Sequence, residues 1–396
     1  RTSVALHDRR GFIDVGFNST IEPGSTDQAR RGADRLADLD RWAVRHRVLW
    51  EPADAVEVDY IYDRMSADER PTATQLSATS GPGTSFFLGP FVRNDRVDNI
   101  SVGDGANGNA LRSTLDVEGH SLAASWELPP LPVLGDVVLK SITAYREKES
   151  DDAVDIDGTG YRFFESGLRI EHEQWTQELQ MNGDTAGGAV QYVAGFFFFD
   201  EDGKAWNDQD FLQDPIYGGS GPMIDFLLRS LKRSYAGYAQ VDWTPPVCDD
   251  RVTLTGGLRY TYEETSIDVR TANSALAGTF PGGVLIDTGI GGAPNIARPS
   301  DDFDDVSWLA RLQFQVTPDV MAYYKVNTGF LAGGFNARNV YNPNLFGPPG
   351  PGQVPFGTPF DPERLLSHEI GIRSDLLRRR VRFNATWFYY DYEDIQ

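Results

Sequence analysis

The chain has 396 residues, 36 of them Lys or Arg and 58 Asp or Glu, giving a formal charge of −22; this argues against a duplex-binding role, which needs a basic surface to neutralise phosphates. Its 40 Gly, 23 Pro, 23 Phe, 16 Tyr and 8 Trp favour strands and turns, and the longest unbroken apolar run, 192–199, is far short of the ~20 residues of a membrane helix. The single cysteine, Cys248, excludes an internal disulfide and a structural zinc site, which takes about four N or S ligands.

In chain order, strict alternation of apolar and polar residues predicts thirteen strands, each about ten residues long: 1–8, 41–50, 55–65, 121–128, 136–148, 174–182, 189–200, 232–244, 251–264, 306–316, 320–330, 365–375 and 380–392. In the ninth, Val252, Leu254, Gly256, Leu258, Tyr260 and Tyr262 share one face and Thr253, Thr255, Arg259, Thr261 and Glu263 the other. The same split sets Val306, Trp308, Ala310, Leu312, Phe314 and Val316 against Ser307, Arg311, Gln313 and Gln315, with Leu309 the exception. In the last strand Val381, Phe383, Ala385, Trp387 and Tyr389 oppose Arg382, Asn384 and Thr386.

The links alternate in length. Tight links fall at 51–54, 129–135, 182–188, 245–250, 317–319 and 375–380. Between them lie long polar stretches, 66–120, 149–173, 201–231, 265–305 and 331–364, of a length unusual inside a compact soluble domain. An outer-membrane barrel has this asymmetry, with short periplasmic turns and long extracellular loops. Large aromatics near strand ends, such as Tyr235, Trp243, Tyr260, Tyr262, Trp387 and Tyr389, suit the headgroup level of a membrane. The opposite face carries Arg259, Arg311, Lys325, Glu369 and Arg373, which a wet lumen tolerates and a packed core does not. The chain opens at Arg1 without Met and stops at Gln396 inside an aromatic pattern, so an odd-stranded, incomplete barrel is expected.

Ordered phrases then narrow the reading: HRVLWEPADAVEVDYIYDR (46–64), LKSITAYRE (139–147), EQWTQELQMNG (173–183), YVAGFFFFDE (192–201), YAGYAQVDWTP (235–245), LTGGLRYTYEE (254–264), YYKVNTGFLAGGFNAR (323–338) and the segment 360–396. In this order they resemble a TonB-dependent outer-membrane receptor over nearly the whole chain, for the β-barrel portion only. The resemblance implies an all-β, antiparallel transmembrane barrel of 22 strands in the outer membrane of a Gram-negative bacterium, here about 13 of them. It further implies a plug domain and a TonB box, neither of which is recognised in 1–396, and an aromatic C-terminal residue that Gln396 does not supply. Residues 1–396 are therefore expected to be a partial barrel domain, with the plug and the C-terminal strands outside it.

Motifs for other chemistry are weak. GHSLA (119–123) comes within one residue of a G-x-S-x-G elbow, but Pro129 and Pro130 follow an alternating stretch where that elbow needs a helix, so Ser121 is expected to open a strand. His368 sits among Leu366, Ile370 and Ile372 on the outward face. Asp151, Asp152, Asp155 and Asp157 before Gly158, and Asp301, Asp302, Asp304 and Asp305, invite a calcium reading, but EF-hand spacing fails. Solvated loop charge is the expectation, with divalent bridging to lipopolysaccharide the alternative. Histidines 7, 46, 120, 172 and 368 show no i, i+4 pair, so no metal site and no cofactor are expected.

The functional expectation is an outer-membrane active importer, not an enzyme, that takes up a scarce small-molecule ligand, a ferric siderophore first among them. The TonB complex supplies the energy, outer-membrane lipid and lipopolysaccharide surround it, and no nucleic acid is involved. The lumen path is assigned to Arg259, Glu263, Arg311, Lys325, Asn327 and Arg373. Loop aromatics Trp206, Phe211 and Tyr217, with Phe226, are set against either a flat ligand or neighbouring loops, and 222–229 against a helical turn. A passive diffusion barrel shares every strand argument, and a soluble β-rich carbohydrate-binding protein is the third reading.

Overall fold

The computed structural model describes residues 1–15, 35–72, 74, 76–78, 99–100, 111–158, 163–185, 187–211, 223–274, 278–279, 285–286, 295–337 and 357–395. Thirteen strands follow one another around a single antiparallel sheet in sequence order. They are β1 (Thr2–Arg9), β2 (Leu39–Ala53), β3 (Val56–Glu69), β4 (Arg112–Leu131), β5 (Gly135–Asp155), β6 (Phe164–Thr185) and β7 (Val190–Phe211). The path continues through β8 (Met223–Trp243), β9 (Val252–Ser274), β10 (Ser300–Thr317), β11 (Val320–Leu331), β12 (Glu363–Leu376) and β13 (Val381–Glu393). A short strand, Asn295–Ala297, adds to the upper part of β9. Every neighbour on the path is consecutive in sequence, as expected of an up-and-down wall built from hairpins.

Each of the thirteen expected strands is present, and most run longer than alternation indicated. Strand β9 is the clearest case. From Val252 to Tyr262 its even residues are apolar, and about ten steps of about 3.4 Å tilted near 45° cover about 24 Å, the height of an outer-membrane apolar band. Beyond Tyr262 the same register carries Glu264, Ser266, Asp268 and Arg270, yet the ladder continues to Ser274. Above the band both faces meet water, so the apolar signal lapses while backbone pairing persists. This corrects the long polar stretches: 149–173 shrinks to a link at 156–163, and Asp151, Asp152 and Asp155 stand on β5, with Asp301, Asp302, Asp304 and Asp305 on β10. Ser121 lies well inside β4 rather than opening it. The helical turn expected at 222–229 is strand from Met223 onward; Pro222 lies outside the described residues.

Short links join β2–β3, β4–β5, β6–β7, β8–β9, β10–β11 and β12–β13 at one rim, and long links occupy the other. Three hairpins slip register beside their short links, between Trp50 and Ala53, Leu128 and Leu131, and Gln315 and Thr317. Two of these slips contain prolines, Pro52 and Pro129–Pro130, which cannot donate to the ladder and are tolerated at a bulge. Two links run through three successive left-handed residues: Cys248, Asp249 and Asp250 (φ 53, 56 and 56°), then Leu377, Arg378 and Arg379 (φ 53, 58 and 62°).

Exposure assigns the faces. Along β10 the residues from Val306 to Val316 on the apolar register are exposed, while the polar residues between them are half-buried by the curvature of the wall. Leu258 is 62% exposed, Phe196 73% and Trp387 62%. The greasy register is thus the convex side and the charged register the concave side. Packing comes from cross-strand contact rather than from a closed apolar core; among the described residues few hydrophobics, Leu36, Val137 and Val269 among them, are fully buried.

Candidate functional site

The concave wall is organised by directly opposed residues in neighbouring strands. One row runs Asp242, Thr255, Arg311, Lys325, Glu369 across β8 to β12. Arg311 reaches Asp242 at 3.4 Å and Thr255 at 3.2 Å, and the Thr255 hydroxyl itself donates to Asp242. Lys325 pairs with Glu369 at 3.2 Å. The two cations are direct cross-strand neighbours, and each draws its counter-charge from the side away from the other: Lys325 from the next strand, β12, and Arg311 from β8, across Thr255 on β9.

Two tyrosines repeat one arrangement on this wall. Tyr238 is opposed to Gly195, and Tyr323 to Gly371. A Cβ on Gly195 would stand 2.7 Å from the Tyr238 ring, and one on Gly371 2.5 Å from the Tyr323 ring, so each ring lies across a glycine that has to be bare. Crossing the glycine brings the Tyr238 hydroxyl to Glu178 on β6 at 2.5 Å, while the Tyr323 hydroxyl reaches Glu369, two residues before Gly371 on β12, at 2.5 Å. An arginine covers each ring from the open side, Arg259 at 5.9 Å from the centroid of Tyr238 and Arg373 at 5.7 Å from that of Tyr323. Arg259 also lies 5.5 Å from the Phe197 centroid. Beside Tyr238 is an open concavity of about 530 Å³ whose lining includes Gln180, Asn182, Gln240, Arg259, Leu309 and Asn327.

All six residues assigned to the lumen path occupy the concave register. Arg259 and Asn327 share the concavity; Arg311 and Lys325 are joined in the cross-strand row; Arg373 stands farther down, over Tyr323. Glu263 differs, being 8% exposed and bound to Lys232 at 2.6 Å, so it braces β8 against β9 instead of facing a solute. Leu309, the exception to the alternation, lines the concavity. The sequence reading missed Glu178, Asp242, Tyr238 and Tyr323; extending strand parity by one strand on either side of each arginine reaches Asp242, Tyr238 and Tyr323, but not Glu178, which stands on β6.

The loop aromatics need correction. Trp206 and Phe211 stand on β7, not in a loop, because the β7–β8 hairpin extends far past the apolar band. Trp206 shares the convex register and is covered by Arg169, 5.4 Å from its centroid, while Phe211 stacks on Phe164 at 4.5 Å. Phe226 stands on β8, and Tyr217 lies outside the described residues. On the convex face the Tyr324 hydroxyl and His368 Nδ1 lie 2.7 Å apart, which fits the outward histidine that was expected. Above the band, Arg229 grips Asp202 at 3.0 and 2.6 Å and holds that carboxyl below the usual carboxylate range. Arg270 does the same for Asp268, with Arg298 adding a second contact at 3.1 Å. Among the described residues no cluster of His, Cys, Asp and Glu has the geometry to hold a metal ion.

Comparison with solved structures finds the same wall. The ferric yersiniabactin uptake receptor FyuA of Yersinia pestis aligns with all of this chain and 50% of its own, at 17% identity and a TM-score of 0.68. The open form of the ferric-catecholate import receptor Fiu of E. coli K12 aligns with 99% of this chain and 55% of its own, at 13% identity and 0.61. The copper transporter OprC aligns with 100% and 49%, at 12% identity and 0.55. The chain thus spans about half the length of these receptors, and at such identities the likeness is one of fold. No curated protein matches the sequence. The family described as TonB dependent receptor-like, beta-barrel matches residues 56–396. Because that match runs from the first residue of β3 to the end of the chain, the chain belongs to the TonB-dependent receptor family, as part of its β-barrel.

Proposed function

We propose that the intact protein is an active importer that captures a scarce ligand outside the cell and passes it through the lumen with energy from the TonB complex. Its family belongs to the outer membrane of Gram-negative bacteria. A ferric siderophore is the first choice of ligand, supported by the likeness to FyuA, a ferric yersiniabactin uptake receptor, and Fiu, a ferric-catecholate import receptor, while the copper transporter OprC makes copper the alternative to be tested. In this reading residues 1–396 supply thirteen strands of the wall, and the plug and remaining strands lie outside this sequence. The half-length coverage of the solved receptors supports that division, as do β1 and β13, each paired on one side only among the described residues.

The observation that carries the proposal is the family match over 56–396 on a wall whose charged register is concave. Arg259, Asn327, Arg311, Lys325 and Arg373 line the path, and Phe211 with Phe164 offers an aromatic contact near the long-link rim. Uptake of radiolabelled iron chelates and of copper by cells carrying the intact gene, with and without a protonophore, tests it. Uptake of an iron chelate that stops when the proton-motive force collapses is expected. Uptake that continues unchanged defeats the active mechanism and leaves a passive pore.

A further inference from the structure

The rim that carries the short links is acidic except at one point. Asp54, Asp136, Asp184, Asp249, Asp250 and Asp319 stand on or beside five of the links, where the lone cation, Arg251, is 3.5 Å from Asp249. The sixth link, between β12 and β13, holds Arg378, Arg379 and Arg380 in succession, with Arg382 second in the next strand. Arg379 is tied to Asp319 at 3.2 Å and Arg382 to Asp375 at 2.8 Å. Arg378 and Arg380 are exposed and form no ion pair among the described residues.

Apolar side chains flank this cationic tip. Leu376 and Val381 oppose one another at the foot of the lipid-facing register, Phe383 follows on the same face, and Leu377 in the turn is 73% exposed. The left-handed run from Leu377 to Arg379 folds the chain back within four residues, which keeps guanidinium groups and aliphatic groups within one turn of each other. The tip stands where the wall leaves the apolar band on the short-link side. A chain of charge −22 is repelled by an anionic leaflet, so this turn is a local reversal of sign.

We propose that the Leu377–Arg380 turn binds the headgroup of an anionic phospholipid in the inner leaflet, with Arg378 and Arg380 on the phosphate and Leu376, Leu377 and Val381 against the acyl chains. A soluble phosphate satisfies only the arginines, and an acidic peptide leaves the leucines in water. An anion carried on hydrocarbon satisfies both groups. The site is independent of the imported cargo and does not depend on the transport proposal.

The test is native mass spectrometry of the intact, detergent-purified protein with dioleoylphosphatidylglycerol and dioleoylphosphatidylcholine at equal concentration. The wild type is expected to retain the anionic lipid preferentially. Each arginine near an anionic surface contributes about fivefold, so Arg378→Gln with Arg380→Gln is expected to weaken that retention by roughly tenfold or more. Leu377→Ser, with all charges intact, is expected to weaken it severalfold. Heat-modifiable gel migration confirms that the variants are folded. No preference in the wild type, an unchanged preference in the double variant or in Leu377→Ser, or displacement of the lipid by equimolar inorganic phosphate or polyglutamate would each overturn the proposal.

Discussion

Arg311 and Lys325 oppose one another across the β10–β11 ladder, two like charges in a position that costs stability unless each is compensated from its far side. Asp242 and Glu369 provide that compensation. Glu369→Gln is therefore expected to destabilise the wall by about 1 kcal/mol, a value kept small because these groups are partly solvated. Lys325→Gln in the same background is expected to restore part of the loss. Urea unfolding of the intact receptor in detergent measures both, and a double variant no more stable than Glu369→Gln alone would remove the charge explanation.

The two tyrosine–glycine contacts differ in what a methyl group would meet. At Gly195 it would approach the Leu179 carbonyl oxygen at 2.6 Å as well as the Tyr238 ring, whereas at Gly371 its three nearest atoms belong to the movable Tyr323 ring. Gly195→Ala is expected to cost roughly 1–3 kcal/mol, as overpacking does, and Gly371→Ala less. Equal losses in the same unfolding assay would argue against backbone contact as the cause.

The salt-bridged hairpin above the band has a definite pH response. The Asp202 carboxyl is held below its ordinary value by Arg229, so the pair's stabilisation is complete above the unfolded value near 3.9 and is lost as pH falls through the lower folded value. A variant with Trp206 as its single tryptophan is expected to change emission only in that acid range. With Asp202→Asn added, the changed emission is expected already at neutral pH, without an acid transition. Persistence of the wild-type transition in that variant would assign it to other carboxylates.

Lipid contact gives a direct check on the two faces. Single-tryptophan variants retaining Trp243, Trp308 or Trp387 are expected to be quenched by brominated lipid, because all three are exposed on the apolar register. Trp206, above the band and under Arg169, is expected to be spared. Quenching of Trp206 with protection of Trp308 would invert the assignment of the wall.

Inside the bilayer the sequence was easy to read, because a wall with lipid on one side and water on the other forces a period of two. Val252 to Tyr262 declared both the strand and its outward face, and Arg259, Arg311, Lys325 and Arg373 declared the inward one. Above the band that contrast vanishes. Asp151, Asp301 and Trp206 therefore read as loop residues although they belong to long paired strands. The partners around the cations of the concave register were hidden for another reason: Tyr238 reaches Glu178 across Gly195, a contact between strands β8 and β6 that no local pattern encodes.

Among the described residues strands β1 and β13 bound the sheet, and with every pairing between them antiparallel they point the same way. Were these two borders to meet, the seam would be the one parallel junction in the wall, with the slanted hydrogen-bond pattern of such pairs. Uniform closure thus requires an odd complement of further strands, the first and last of them running opposite to β1. Self-association of two copies obeys the same rule: like border must meet like, β1 with β1 and β13 with β13, around a twofold axis.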